Sequence, residues 1–330
     1  MMRLSVSRRI RRMGKIEQTL HHVTATKRQS SSISNPSPFV LKSKYADFKQ
    51  VEASRPAFDP RLPTITTQSP DPTWKYGQGV SIISSEIQQD QRHSHREIDP
   101  YAEPRSMIQN YKLLISGVPR PISFISTVSS EGTRNLSPFS YFQVVDHDPP
   151  IFVVGFSARA SRPKDTRTNL EPTEECVINI VSEHMIEGVN ATSLDVPFGV
   201  SEWELSGFQG APSSTVKAER VRDAIFSIEG RLLEMKSLDY GGHHAKQGKP
   251  SGALAIIQAT RFWIREDAIN EDGSEISLDV LRPLAQLGGI SYGRINETFE
   301  LPRPRLDEEL RDESKGLHRL LPDTVDRPQT

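Results

Sequence analysis

Short β-branched runs separated by turn residues mark the middle of the chain, and two longer alternating runs follow. "ISFISTVS" (122–129) ends in the turn "SSEGT" (129–133), and "NLSPFSYF" (135–142) comes directly after it, which is the pattern of a hairpin. "PPIFVVGFS" (149–157) and "ECVINIVS" (175–182) are apolar at successive positions, as strands buried on both faces are. "AIFSIEGRLLEM" (224–235) alternates Phe226, Ile228 and Leu232 against Ser227, Glu229 and Arg231. "ALAIIQATRFWI" (253–264) carries Leu254, Ile256, Phe262 and Ile264 on one parity. Helices are predicted over "SRPKDTRTNLE" (161–171), with Pro163 in the first turn, over "EHMIEGVNATS" (183–193) and over "ISLDVLRPLAQLGG" (276–289). Medium strands broken by short helices, with no regular strand–helix alternation, predict a mainly β fold with helices. An antiparallel barrel fits this order better than a doubly wound parallel sheet.

Outside the middle the periodicity fades. Residues 1–45 form a basic leader, 46–105 an arm rich in Pro, Ser, Asp and Gln, 106–300 the folded domain, and 301–330 a charged tail. The prolines of the arm exclude helix interiors and central strands. Its rings Trp74 and Tyr76 predict that it packs on something. The leader carries Arg3, Arg8, Arg9, Arg11, Arg12 and Lys15 against the acid Glu17, followed by hydroxyl residues. That is the composition of a mitochondrial transit peptide or of a disordered basic tail in a cytoplasmic protein.

Composition then narrows the chemistry. Hydrophobic residues make up 35% of the chain, so part of it is expected to stay outside a core. The formal charge of −1 argues against a nucleic-acid binder, and no apolar run is long enough to span a membrane. The single cysteine, Cys176, excludes an intramolecular disulfide and reads as a small buried hydrophobe. The histidines lack metal-ligand spacing, and nucleophile-elbow, phosphate-loop and dinucleotide fingerprints are absent. Two features point to a ligand. The predicted helix start at 161–167 gathers Ser161, Arg162, Lys164, Thr166 and Arg167, suited to a phosphate monoester or simply to a solvated first turn. The hairpin brings Ser126 and Thr127 near Asn135, Ser137 and Ser140, a line of small polar groups that suits a polyol or simply stabilises turns.

Taken together, "PRPISFISTVSSEGTRNLSPFSYF", the following "PP", "KDTRTN" and "ECVINIV" resemble the flavin reductase-like, FMN-binding split-barrel family. The resemblance spans roughly residues 108–295, and the arm is similar to an extension of fungal members. It implies a six-stranded antiparallel Greek-key split barrel, a homodimer, and FMN near the dimer interface, with NAD(P)H as an electron donor. By position it implies that Ser126, Thr127, Asn135, Ser137 and Ser140 line the ribityl chain and ring. Lys164, Asp165, Thr166 and Asn169 would surround the phosphate, Asp165 by fixing the loop or Lys164. Phe139 and Phe142 would be packing rings. Trp203 and Phe208 of "FGVSEWELSGF" would either stack on the flavin or cap the core, and Tyr292 and His243 are candidates for substrate contact. No residue stands out as a catalytic acid or base. Flavin reductases of this fold carry Gly-Asp-His before the last long strand, where this chain reads "KPSGALAI". A non-catalytic flavin carrier is therefore the alternative reading.

Overall fold

The computed structural model describes residues 43–80, 94–158, 162–239 and 252–322. Its main sheet contains β1 (Ser123–Val128), β2 (Arg134–Phe139), β3 (Phe142–His147), β4 (Pro150–Phe156), β5 (Glu175–Ile180), β6 (Phe226–Leu238) and β7 (Gly252–Ile264). The strand order is β2-β1-β5-β6-β7-β4-β3, with antiparallel pairing throughout. The two edge strands are consecutive in sequence, separated only by Ser140 and Tyr141. Lying flat, seven strands would hold their edges about 29 Å apart. Three Cα–Cα steps from Phe139 to Phe142 reach at most about 11 Å. The sheet must therefore curl until its edges meet at this corner, and β2 and β3 do not pair there. This is a split barrel. It has seven strands where six are expected, because the chain turns at Ser140–Tyr141 and re-enters as a separate edge strand along β4.

The inward side chains of all seven strands converge on one core that includes Ile125, Phe139, Phe142, Val154, Ile178, Ile228 and Ile257. Phe139 and Phe142 are thus the packing rings expected of them. Small residues let the curl close tightly. A Cβ on Gly230 would lie 2.5 Å from Ile257 Cγ2, at a register shift between β6 and β7. Four helices matter to the site: α1 (Met107–Gly117), α2 (Asp165–Thr173), α3 (Ile186–Ala191) and α4 (Glu202–Ser206). Leu170 of α2 joins the inner core, whereas α3 and α4 cover the outer face around Phe124, Leu136, Val189 and Trp203. α1 begins with a capping box between Ser106 and Gln109.

Three expectations need correction. The helix expected over 276–289 is only Leu278–Leu281. Pro283 cannot continue it, Arg282 turns into the left-handed region at φ 45°, and Leu284–Gln286 is strand. α2 starts at Asp165 with Lys164 as N-cap, so Pro163 precedes the helix instead of occupying its first turn. Glu229, expected on the polar face of β6, is fully buried. A loop covers that face, and its Ser214 and Thr215 N–H groups donate to the Glu229 carboxylate at 2.7 and 2.6 Å. The Thr215 hydroxyl and the Trp263 indole add bonds of 2.5 and 2.6 Å.

The arm packs along the C-terminal segment. Ile65–Thr67 pairs in parallel with Glu297–Phe299, and Tyr76 N donates to Lys315 O at 3.1 Å. The Phe58 ring lies 4.3 Å from the Arg294 guanidinium, and Arg282 donates to Leu62 O at 3.1 Å. Both arginines are held from the domain side by the buried carboxylate of Glu183.

Burial pushes the pKa of Glu229 up. The Thr215 hydroxyl, the Ser214 N–H, the Trp263 indole and the Thr215 N–H together outweigh it, leaving the group below its ordinary value. Its stabilising contribution is thus complete above the usual glutamate range and is lost as pH falls through the lower folded value. Glu229→Gln should cost about 1–3 kcal/mol in urea unfolding at neutral pH, with a smaller cost in acid. An unchanged midpoint would show that the covering loop does not depend on this carboxylate. Burial pushes the Cys176 thiol up to about 12, so a thiol reagent should label it only after denaturation.

Candidate functional site

Side chains alternate across a strand, and the register of the β1–β2 hairpin decides which polar groups meet. Thr127 faces Asn135 and Ile125 faces Ser137. All four therefore share the inner face with Phe139. Ser126 takes the opposite face, where its hydroxyl donates to Glu219 O at 2.5 Å, away from the other polar groups.

α2 seats against that inner face through a buried amide–hydroxyl network. The Thr127 hydroxyl accepts from Asn135 Nδ2 at 3.1 Å and from Asn169 Nδ2 at 3.2 Å. Asn135 Nδ2 also donates to Thr166 Oγ1 at 2.9 Å. These four residues are no more than 5% exposed. Their polar atoms lock helix to hairpin, which fixes the direction of the helix axis. At the start of α2, Lys164 is the N-cap and supplies no side-chain acceptor to the first N–H groups. Its ammonium donates to Ser137 Oγ at 3.3 Å. Asp165 accepts from Arg162, whose guanidinium also donates to Val196 O. Asp165 therefore fixes the loop through Arg162. Arg167 pairs with Glu171 at 2.8 Å further along the helix. The result is a helix start with its partial positive charge, a lysine and a serine at one rim of the barrel, suited to an anion.

Two residues at this rim went unnoticed in the sequence. Glu202, on α4, is 5% exposed and accepts from Leu136 N at 3.1 Å. Leu136 and Pro138 present their backbone to the open side of edge strand β2. Pro138 has no N–H to leave unpaired, and Glu202 takes that of Leu136. Burial raises the pKa of Glu202 and the Asp165 charge adds to this, while the Leu136 N–H and Lys164 pull it back. Arg120 is 7% exposed and donates from Nε to Ser140 Oγ at 3.1 Å. "SEWE" reads as a solvated helix start, and one arginine between prolines carries no burial signal. Ser140 thus lies at the barrel corner, bonded to Arg120. Trp203 is core, 2% exposed beneath the Arg134 guanidinium, and Phe208 packs against the same cluster. Tyr292 is exposed on a separate short strand, and His243 and Ser161 lie outside the described residues. Among the described residues no group of His, Cys, Asp and Glu is arranged to hold a metal, and no helix is long and apolar enough to cross a membrane.

A model of the flavin reductase like domain matches residues 115–273. An uncharacterized protein from Halalkalibacterium halodurans is 32% identical over 202 residues, covering 61% of this chain and 93% of its own. The chain belongs to the flavin reductase-like family. Another uncharacterized relative, from Bacillus subtilis, is 31% identical, covering 62% of this chain and 97% of its own. Among solved structures, nitrilotriacetate monooxygenase component B from Bacillus cereus has a TM-score of 0.58 at 30% identity, covering 63% of this chain and all of its own. The 2-nitrobenzoate 2-nitroreductase from Pseudomonas fluorescens has a TM-score of 0.55 at 28% identity, covering 64% and 98%. The family accounts for the split barrel.

Thr127→Val keeps the shape of the side chain but removes one acceptor from each of two buried amides, leaving Asn135 only its bond to Thr166. It should lower stability by at least ~2 kcal/mol. Ser126→Ala, which removes one bond on the other face, should cost about 1 kcal/mol. Equal effects in denaturant titrations would contradict the network's role.

Proposed function

We propose that this family member binds FMN along edge strand β2 and is an NAD(P)H-linked oxidoreductase that reduces flavin or a small acceptor. The observation that carries this reading is Lys164 at the start of α2, held beside Ser137 by the buried network. The donor set fits the group. A phosphate dianion would find an ammonium and the N-terminal N–H groups of a helix there, each able to make a charge-assisted bond. Thr127, Asn135, Thr166 and Asn169 act by positioning, since their mutual hydrogen bonds keep them buried. Ser137 on β2 and Ser140 at the corner beyond its end mark the path that the rest of the ligand would follow. From Ser137 on β2 to Ser140 just past its end, three residues span at most about 11 Å, which suits a five-carbon ribityl chain leading from phosphate to ring. When bound, the flavin would supply the two-electron chemistry, and the protein would orient it and keep water from it.

A homodimer completes the proposal. Leu113 and Leu114 on α1, and Val144 and Val145 on β3, are exposed apolar residues on elements that flank the Ser140 corner, as an interface would require. The neighbour named as a nitroreductase supports a small organic acceptor. "KPSGALAI", in place of Gly-Asp-His before β7, favours the second reading, a flavin carrier that is not reduced by nicotinamide.

The purified protein should take up FMN and turn yellow, and its visible band should bleach anaerobically on addition of NADH or NADPH. A yellow protein that neither nicotinamide reduces would favour the carrier. Lys164→Ala should weaken FMN binding by about 1.5–3 kcal/mol in fluorescence titration. Unchanged affinity would refute the phosphate assignment.

A further inference from the structure

Arg120 presents an electrostatic problem that the described residues do not solve. The residue is 7% exposed, yet every hydrogen-bond partner among the described residues is neutral. Nη1 donates to Ile115 O at 2.9 Å and to Val118 O at 2.7 Å, Nη2 to Leu287 O at 3.3 Å, and Nε to Ser140 Oγ at 3.1 Å. These bonds use four of the five guanidinium hydrogens and leave one on Nη2. They satisfy donors without cancelling the charge. The carbonyl of Ile115 lies at the C-terminal end of α1, whose partial negative charge offsets only part of a full cation. The phenols facing the arginine, Tyr111 and Tyr141, are pushed up by burial, with Arg120 pulling them back, and so stay neutral near pH 7. A buried charge is normally paired, because desolvation without a counter-ion is costly.

We infer that the missing negative charge is supplied by the flavin, and that Arg120 is a positioning and potential-setting residue for its pyrimidine edge, where charge accumulates on two-electron reduction. The inference rests on the flavin reading above. With the phosphate at Lys164, a ligand laid along β2 would bring its ring toward Ser140, whose hydroxyl accepts from Arg120. A fixed cation at that position stabilises the reduced, anionic ring more than the neutral oxidised one, and so raises the midpoint potential. The guanidinium is pre-set by α1 and by the Leu287 carbonyl, so little reorganisation is needed when the charge arrives. The carbonyls that hold Arg120 are therefore part of the device, because they aim a charge they do not neutralise.

The test is potentiometric and needs no turnover. FMN-loaded Arg120→Gln should show a midpoint potential at least about 30 mV more negative than the unmutated protein, equivalent to a tenfold loss of preference for reduced flavin. Arg120→Lys should retain part of the difference. A folded, flavin-retaining Gln variant with an unchanged potential overturns the inference. If removing the cap on α1 prevents folding, the same claim is read from the unmutated protein. Its dissociation constant for photoreduced FMN should be at least tenfold below that for oxidised FMN, and equal affinities overturn it. Failure of the unmutated protein to bind any FMN would instead sink the flavin reading, and is seen before a variant is made.

Discussion

The hydroxyl of Thr127 accepts two amide hydrogens, one from its hairpin partner Asn135 and one from Asn169 of α2. On that junction depends how a nine-residue helix meets the edge of the sheet. Polar groups buried this deeply are tolerable only when each is bonded, so the network specifies one seating of α2 and makes alternatives costly. With the helix fixed, its start and Lys164 come to rest beside Ser137. The local chemistry of the rim follows from a polar joint inside the barrel.

The corner at Ser140 and Tyr141 is the second constraint. It forces the sheet to curl, because the two edges cannot be further apart than a three-residue step. It also places Ser140 where α1, the hairpin and Arg120 meet. Pro138 and Glu202 then manage the open side of β2, one by lacking an N–H and the other by accepting one. The mixture in "NLSPFSYF" has a physical order. Asn135, Ser137 and Phe139 face inward, Leu136 faces the outer cluster, Pro138 protects the edge, and the turn before Phe142 begins a new strand.

The strands and the α2 segment were legible because their signals are local: β-branched runs, a turn, and a proline near a helix start, although Pro163 precedes the first turn in which it was expected. The resemblance placed the polar residues in one neighbourhood, and the structure brings Thr127, Asn135, Thr166 and Asn169 together while sending Ser126 to the opposite face. Strict alternation forbids neighbours such as Ser126 and Thr127 from lining the same surface, a rule the motif alone does not display. Glu229, Glu202 and Arg120 were not legible as buried groups. Each is a charged residue covered by a segment distant in sequence, at 214–215, at 136 and at 287. Helix periodicity over 276–289 failed because Pro283 overrides an apolar pattern that extends past it.

In the proposed function, the start of α2 and Lys164 form a phosphate anchor on the edge of the split barrel. Parallel titrations of the purified protein with FMN and riboflavin isolate the anchor's contribution, since the two ligands differ only in the phosphate. FMN should bind at least about tenfold more tightly, as one or two charge-assisted hydrogen bonds would give. Equal affinity for the two ligands would contradict it.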